Sequence, residues 1–195
     1  MTLPVLDLAN AHFVTEFLAV GGDLAYDNEE AAAQAIELVD AGITHVLDVR
    51  HERDDSELWS YLPEVTYRWD GIDDAGQTVP AEWFDGIVCW AVEAIARGRV
   101  VLTHCHMGIN RGPSAGYAVL LGLGWDPVDA LAAIRSARPI ANTWYAEDAL
   151  VWHFARTGAT LAERRNVLTR MRNWRGENPL DVVRIIRSIR LQEAS

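Results

Sequence analysis

A short polar segment, residues 104–111, contains the side chains best suited to chemistry, and it reads His-Cys-His-Met-Gly-Ile-Asn-Arg. A cysteine that attacks phosphorus must be a thiolate, and the phosphoryl oxygens and their developing charge must be bound. Arg111 lies six residues after Cys105, where its planar guanidinium can donate two parallel hydrogen bonds to equatorial oxygens. Gly108 lies midway and permits a backbone conformation that a Cβ atom would obstruct. The spacing predicts a phosphate-binding loop with Cys105 as nucleophile.

The elements on either side of this segment fit that chemistry. Residues 100–103 are an apolar run that predicts a buried central strand, and residues 113–123 predict a helix. A loop between a strand end and a helix N-terminus directs backbone N–H groups inward, and the helix dipole favours an anion there. We expect the same positive potential to lower the pKa of Cys105.

The rest of the chain alternates between strand and helix patterns. Strands are predicted at residues 17–20, 44–49 and 65–69, and helices at 29–41, 81–96, 127–137, 144–155, 160–174 and 180–191. Asn28 and Asp126 are the expected N-caps of two of these helices. The pattern predicts an α/β fold, in which helices flank a central mixed or mostly parallel sheet and a helical C-terminal extension follows.

The pattern His104-Cys105-x-x-Gly108-x-x-Arg111 resembles the signature of the protein tyrosine phosphatase superfamily, specifically its small (atypical) dual-specificity branch. The resemblance extends over most of residues 14–150. It includes the strand entry at residues 42–47 and the segment from Arg138 through Asn142 to Tyr145. It implies a two-step reaction, in which a phosphocysteine forms at Cys105 and water hydrolyses it without a metal or other cofactor.

The resemblance also assigns roles to individual residues. The phosphate-binding loop would comprise His106, Met107, Gly108, Ile109, Asn110 and Arg111. The general acid would be an aspartate upstream of the loop, for which we favour Asp74, then Asp73, then Asp70. His104 is expected to be a buried hydrogen-bonding residue that orients the loop, with His106 facing outward.

One position departs from the family pattern. The family places Ser or Thr directly after the loop arginine, where the hydroxyl assists the departing thiolate, whereas this chain has Gly112. Either Ser114 supplies the hydroxyl from a shifted position, or breakdown of the phosphoenzyme is slow.

The loop composition also bears on the substrate. The residues between Cys105 and Arg111 include no Lys or Arg, which disfavours polyphosphorylated inositides. A phosphorylated protein is therefore the expected partner, with phosphotyrosine as the leading substrate and phosphoserine or phosphothreonine as additional ones. Asn110 is similar to the loop of RNA 5′-triphosphatases, which gives a second hypothesis, although an acidic body suits a nucleic acid poorly.

Two further hypotheses come from other classes. Leu47-Asp48-Val49-Arg50 followed by Glu52 is similar to an early motif of rhodanese-like sulfurtransferases, but the usual rhodanese loop is one residue shorter. The glycine at position 112 also admits a phosphate-binding pseudophosphatase, against which Cys105, Arg111 and the candidate acid argue.

Composition sets the remaining expectations. The net charge of −11 hides an acidic domain over residues 1–155 and a basic extension over 156–195, which we expect to dock on that domain. Only two cysteines occur, and Cys89 is expected in the core, which favours a reducing cytoplasm. The sequence predicts no metal site, no membrane span and no signal peptide, and it leaves the oligomeric state open.

Overall fold

The computed structural model describes residues 2–193 and contains five strands and eight helices within them. The strands are Ala11–Thr15 (β1), Leu18–Gly21 (β2), His45–Arg50 (β3), Thr66–Ile72 (β4) and Val101–His104 (β5). The helices are Asn28–Asp40 (α1), Ser56–Trp59 (α2), Ala81–Ala96 (α3), Arg111–Gly122 (α4), Pro127–Ala137 (α5), Ala146–Thr157 (α6), Leu161–Glu177 (α7) and Val182–Glu193 (α8).

The sheet has the strand order β1-β2-β5-β3-β4. The β1–β2 pair is antiparallel, and the β2–β5, β5–β3 and β3–β4 pairs are parallel. The predicted α/β fold with a mixed, mostly parallel sheet is therefore confirmed. Because β5 lies at the centre, the loop that follows it opens at the carboxyl edge of the sheet, where ligands bind in open α/β folds.

Alternating side chains of the strands fill two cores on opposite faces of the sheet. Val20 and Val101 belong to the core beneath helices α3–α6, whereas Ala19 and Leu102 face α1 and α2. All four residues of β5 are buried, as expected for a central strand with helices on both faces. The strand that leads into residues 104–111 is thus packed on both faces.

Helix α4 begins at Arg111, two residues before the predicted start. The carbonyl of Asn110 accepts a hydrogen bond from Ser114 N at 2.8 Å, so the helical ladder starts at the end of the loop. Every residue from Arg111 to Leu121 is buried. The helix N-terminus therefore faces the loop from inside the protein.

Several local expectations were wrong. The α1 cap is Asp27, whose carboxylate accepts from Glu29 N and Glu30 N, rather than Asn28. Strand β1 and the short α2 were not predicted, because β1 depends on pairing with β2 across a bulge. Cys89 is exposed, since it lies outside the buried stripe of α3, and it forms no disulfide with Cys105.

The two helices of the C-terminal extension differ in their packing. Met171 of α7 is fully buried in the main core, and Arg170 donates to both carboxylate oxygens of Asp126 at 2.9 Å. Helix α8 lies nearer the surface, where Val183 and Leu191 are exposed. None of the helices in residues 2–193 has the length and apolar character needed to cross a bilayer.

Candidate active site

Four successive carbonyl oxygens of the loop accept hydrogen bonds from groups outside it. The pairs are Asp23 N with His106 O (2.7 Å), Arg138 Nη2 with Met107 O (3.0 Å), Arg138 Nε with Gly108 O (2.7 Å), and Asn142 N with Ile109 O (2.8 Å). All described peptides are trans, and in a trans peptide the C=O and the next N–H point in opposite directions. The N–H groups of residues 107–110 therefore face away from these partners, toward the concave side of the loop.

These four N–H groups are available to an anion. No oxygen or nitrogen atom of residues 2–193 accepts a hydrogen bond from them, and the Gly108 amide also reaches the Cys105 sulfur. Successive amides of this kind, at the N-terminus of a helix, form a binding site for phosphate. The side chains of the loop play a smaller part, since Ile109 is buried and His106 is held by the carboxylate of Asp23 at 2.8 Å.

Gly108 is required by this conformation. Its φ of +64° lies in the left-handed region, where a glycine carries no steric penalty. A Cβ atom there would lie 2.4 Å from Arg138 Nη2 and 2.6 Å from Gly21 O. The sequence prediction for this glycine agrees with the geometry, and the close approach of Gly21 gives a second reason for it.

The Cys105 side chain lies at the base of the loop and is 2 % exposed. Burial raises the pKa of the Cys105 thiol, although hydrogen bonds from the Gly112 and Gly108 amides and the charge of Arg111 act in the opposite direction. The expected lowering of the Cys105 pKa is therefore wrong. The positive potential of the loop lowers this pKa, but the loss of water around the sulfur raises it by more.

Arg111 is fixed by a carboxylate that the sequence analysis had linked to a different chemistry. Glu52 accepts from Nη1 and Nη2 of Arg111, both at 2.6 Å, and Ile72 O accepts from Nη1 at 3.0 Å. This contact holds the pKa of Glu52 at about 2. Glu52 lies 59 residues from Arg111 in the chain, so only its place just after β3 could have suggested the pairing.

The other edge of the Arg111 guanidinium points away from Glu52 and toward Asp74. Its Nε is buried and has no hydrogen-bond partner among residues 2–193, and the nearest carboxylate oxygen, from Asp74, lies 3.8 Å away. Because Glu52 takes one hydrogen from each Nη, the Nε–H and the second Nη2 hydrogen remain as a side-on fork. Such a fork matches two oxygens of a phosphoryl group.

The three candidate acids lie in different places. Asp74 accepts from Asn110 Nδ2 at 3.3 Å and thus lies beside the loop. Asp73 is exposed and faces His51 at 3.4 Å, and Asp70 pairs with Arg68. The structure brings Asp74 to the loop and leaves the carboxylates of the other two with different partners.

Tyr145 holds Asp74 in position. Its hydroxyl lies 3.0 Å from Asp74 Oδ1 and accepts from Gly76 N at 3.2 Å, which fastens the acid-bearing segment to the start of α6. Burial, with Asp74 nearby, raises the pKa of Tyr145 to about 12, so the hydroxyl stays protonated. Tyr145 lies in the segment that resembles the phosphatase family, but the sequence alone predicts no role for it.

Ser114 Oγ accepts from Tyr145 N at 3.1 Å and so contacts the start of α6, while its O–H remains available to donate. At Gly112 a side chain has no room. A Cβ atom there would lie 2.9 Å from Cys105 N and 2.9 Å from both Cα and C of His104. Thr103 Oγ1 donates to Gly112 O at 2.8 Å and fixes this peptide. The close packing of α4 against β5 therefore requires glycine at position 112, where the family carries Ser or Thr.

His104 is buried as predicted, but neither ring nitrogen has a hydrogen-bond partner within residues 2–193, and its Nε2 lies 3.8 Å from Asp48 Oδ2. The expected orienting hydrogen bond is therefore missing. Burial lowers the pKa of His104, which keeps the ring neutral. Beneath it, the fully buried Arg50 is bound by carboxylates of Asp48, Asp55 and Asp23. No group of three or more potential metal ligands occurs in the part of the chain that the structure describes.

Several solved structures share this fold. They include Tk-PTP in its active form (23 % identity, TM-score 0.62, covering 75 % of this chain and 97 % of that one). Human DUSP28 matches at 20 % identity and TM-score 0.62, over 80 % and 99 % of the two chains. PTPMT1 in complex with PI(5)P matches at 19 % identity and TM-score 0.63, over 76 % and 97 %.

At these identities the likeness establishes the fold. No protein-family model matches the chain, and no curated protein matches it by sequence.

Proposed function

We propose that this protein is a cysteine-dependent phosphatase that acts on phosphotyrosine in proteins, with additional activity toward phosphoserine or phosphothreonine. The observation that carries the proposal is the set of hydrogen-bond donors around Cys105. Four backbone N–H groups and the side-on fork of Arg111 converge where a phosphoryl group attacked by Cys105 would lie. The shared fold with phosphatases supports this assignment.

The first step follows from the placement of Cys105 and Asp74. Cys105 loses its proton to solvent, and Arg111 with the Gly112 and Gly108 amides stabilises the resulting thiolate against the effect of burial. The thiolate attacks phosphorus, the bond from phosphorus to the leaving oxygen breaks, and Asp74 gives its proton to that oxygen. The amides of residues 107–110 and Arg111 bind the three equatorial oxygens as their charge develops. Tyr145 keeps the Asp74 carboxyl beside the loop.

In the second step water attacks the phosphocysteine, and the Asp74 carboxylate takes a proton from that water. The S–P bond breaks and returns a thiolate at Cys105, which the Gly112 and Gly108 amides stabilise. In this scheme the backbone N–H of Gly112 does the work that a serine or threonine hydroxyl would do at that position.

Two features support phosphotyrosine as the preferred substrate. Cys105 is almost completely buried, so a long aromatic side chain reaches it more easily than a short one. Exposed Trp144 lies close to Gly76 in the acid-bearing segment and offers an apolar surface for such a ring. The absence of Lys and Arg between positions 105 and 111 argues against inositide headgroups that carry several phosphates.

Hydrolysis of a generic aryl phosphate tests the proposal. Cys105→Ser is expected to abolish hydrolysis, whereas Cys89→Ser, a matched change at an exposed cysteine, should leave it unchanged. Hydrolysis that persists in Cys105→Ser would contradict the mechanism. Turnover of thiosulfate instead would indicate a sulfurtransferase, and binding without turnover a pseudophosphatase.

Substrate choice is tested separately. Phosphotyrosine peptides, phosphothreonine peptides and triphosphorylated RNA are compared at equal concentration, with kcat/KM as the readout. We expect the phosphotyrosine peptides to give the highest value. A preference for the RNA would replace the proposed substrate with that of a 5′-triphosphatase.

A further inference from the structure

Arg138 contacts the loop as a buried cation that has no acidic partner among residues 2–193. Its side chain is 1 % exposed, and all of its hydrogen-bond acceptors are neutral. They are Gly108 O (2.7 Å), Met107 O (3.0 Å), Asn10 Oδ1 (2.9 Å), Asn10 O (3.2 Å) and His12 Nδ1 (3.0 Å). Burying an unpaired charge is energetically unfavourable, so the burial of Arg138 needs a functional explanation.

The five acceptors account for all five N–H bonds of the guanidinium. Burial lowers the pKa of Arg138 to about 10, and the group therefore remains charged at neutral pH. His12 can accept only in its neutral form, and burial together with Arg138 lowers the pKa of His12 accordingly. The Arg138 guanidinium thus keeps its positive charge, and all of its N–H groups are hydrogen-bonded although no carboxylate pairs with it.

We infer that Arg138 is a positioning residue that sets the phosphate-binding conformation of the loop and stabilises the Cys105 thiolate; this inference rests on the proposed function. Arg138 pulls the carbonyls of Met107 and Gly108 away from the loop centre. Since each carbonyl opposes the next N–H, the amides of Gly108 and Ile109 turn toward the phosphoryl group. These are two of the four amide donors, and one of them also reaches the Cys105 sulfur.

The charge of Arg138 adds an electrostatic effect. Arg138 Nε donates to Gly108 O, and the amide of the same Gly108 reaches the Cys105 sulfur, so the guanidinium charge lies near a buried thiolate, where screening by water is weak. Because the loop between positions 105 and 111 has no cation of its own, Arg138 and Arg111 supply the positive charge on two sides of it. Lysine could retain the charge at this position but could not hold both carbonyls with a rigid fork.

The test uses Arg138→Met and Arg138→Lys in a Cys89→Ser background, with Arg170→Met as a matched control at an exposed ion pair. The rate of iodoacetamide alkylation of Cys105, measured against pH, reports the pKa of the thiol. Calorimetry with inorganic phosphate reports the affinity of the loop for phosphate. Neither measurement requires turnover, so a chain that fails to hydrolyse aryl phosphates still tests Arg138.

Arg138→Met should shift the alkylation profile to higher pH and weaken phosphate binding about ten- to a hundredfold, as expected when hydrogen bonds to a charged group are lost. Arg138→Lys should keep the profile near that of the parent but weaken phosphate binding. A folded Arg138→Met with both properties unchanged would overturn the inference. If that variant does not fold, parental phosphate affinity in Arg138→Lys would overturn it.

Discussion

Replacing Gly112 by serine tests the reasoning about the second step. The change puts a hydroxyl where the phosphatase family carries one, so a simple sequence argument predicts faster release of the phosphate. The structure predicts the opposite. The new Cβ would lie 2.9 Å from three backbone atoms, Cys105 N and the Cα and C of His104. Backbone atoms cannot rotate away, so α4 and the end of β5 must separate.

The size of the effect follows from that contact. Forcing one extra carbon into a well-packed site costs about 1–3 kcal/mol. For a protein of this length, 1 kcal/mol lowers the melting temperature by about 2–4 °C, so we expect a fall of roughly 2–12 °C. The separation also lengthens the hydrogen bond from the Gly112 amide to the Cys105 sulfur, which should slow both chemical steps.

Thermal unfolding and rapid-mixing kinetics with an aryl phosphate measure these effects. The initial burst reports formation of the phosphocysteine, and the later steady rate reports its hydrolysis. Gly112→Ala is the control, because it adds the Cβ without the hydroxyl. Both variants should melt at lower temperature, with steady rates at or below that of the parent. A Gly112→Ser protein of unchanged melting temperature and higher steady rate would refute the argument.

Two other predictions concern the carboxylates of the site. Asp74→Asn should lower kcat/KM for a substrate with a poor leaving group by about 10²–10⁴ and remove the decline of activity with rising pH. Asp73→Asn should do neither. If a pH–rate series gave the reverse result, Asp73 would be the general acid. Arg111 holds the pKa of Glu52 at about 2, below its ordinary 4.5, so this pair stabilises the fold fully above pH 4.5 and progressively less as pH falls toward 2. Glu52→Gln should make stability independent of pH in that part of an acid-unfolding curve. It should also lower kcat/KM by about tenfold, because a charged hydrogen bond that orients Arg111 is lost. An unchanged unfolding curve would mean that the pair contributes nothing to stability.

The sequence by itself determined the elements that carry local signals. The apolar run before Cys105, the glycine at position 108 and the six-residue spacing to Arg111 located the loop, because a central strand, a left-handed turn and a helix start each depend on neighbouring residues. The order of preference among the aspartates also placed first the one that lies beside the loop, Asp74.

Only the tertiary structure decided which distant groups complete the loop. Glu52 and Arg138 reach it from segments far away in the chain, and no local pattern records that two side chains meet at one edge of a sheet. Helix packing likewise decided that position 112 has no room for a side chain and that Cys89 lies outside the core. The pKa of Cys105 depends on the balance between burial and hydrogen bonding, and burial exists only once the chain has folded.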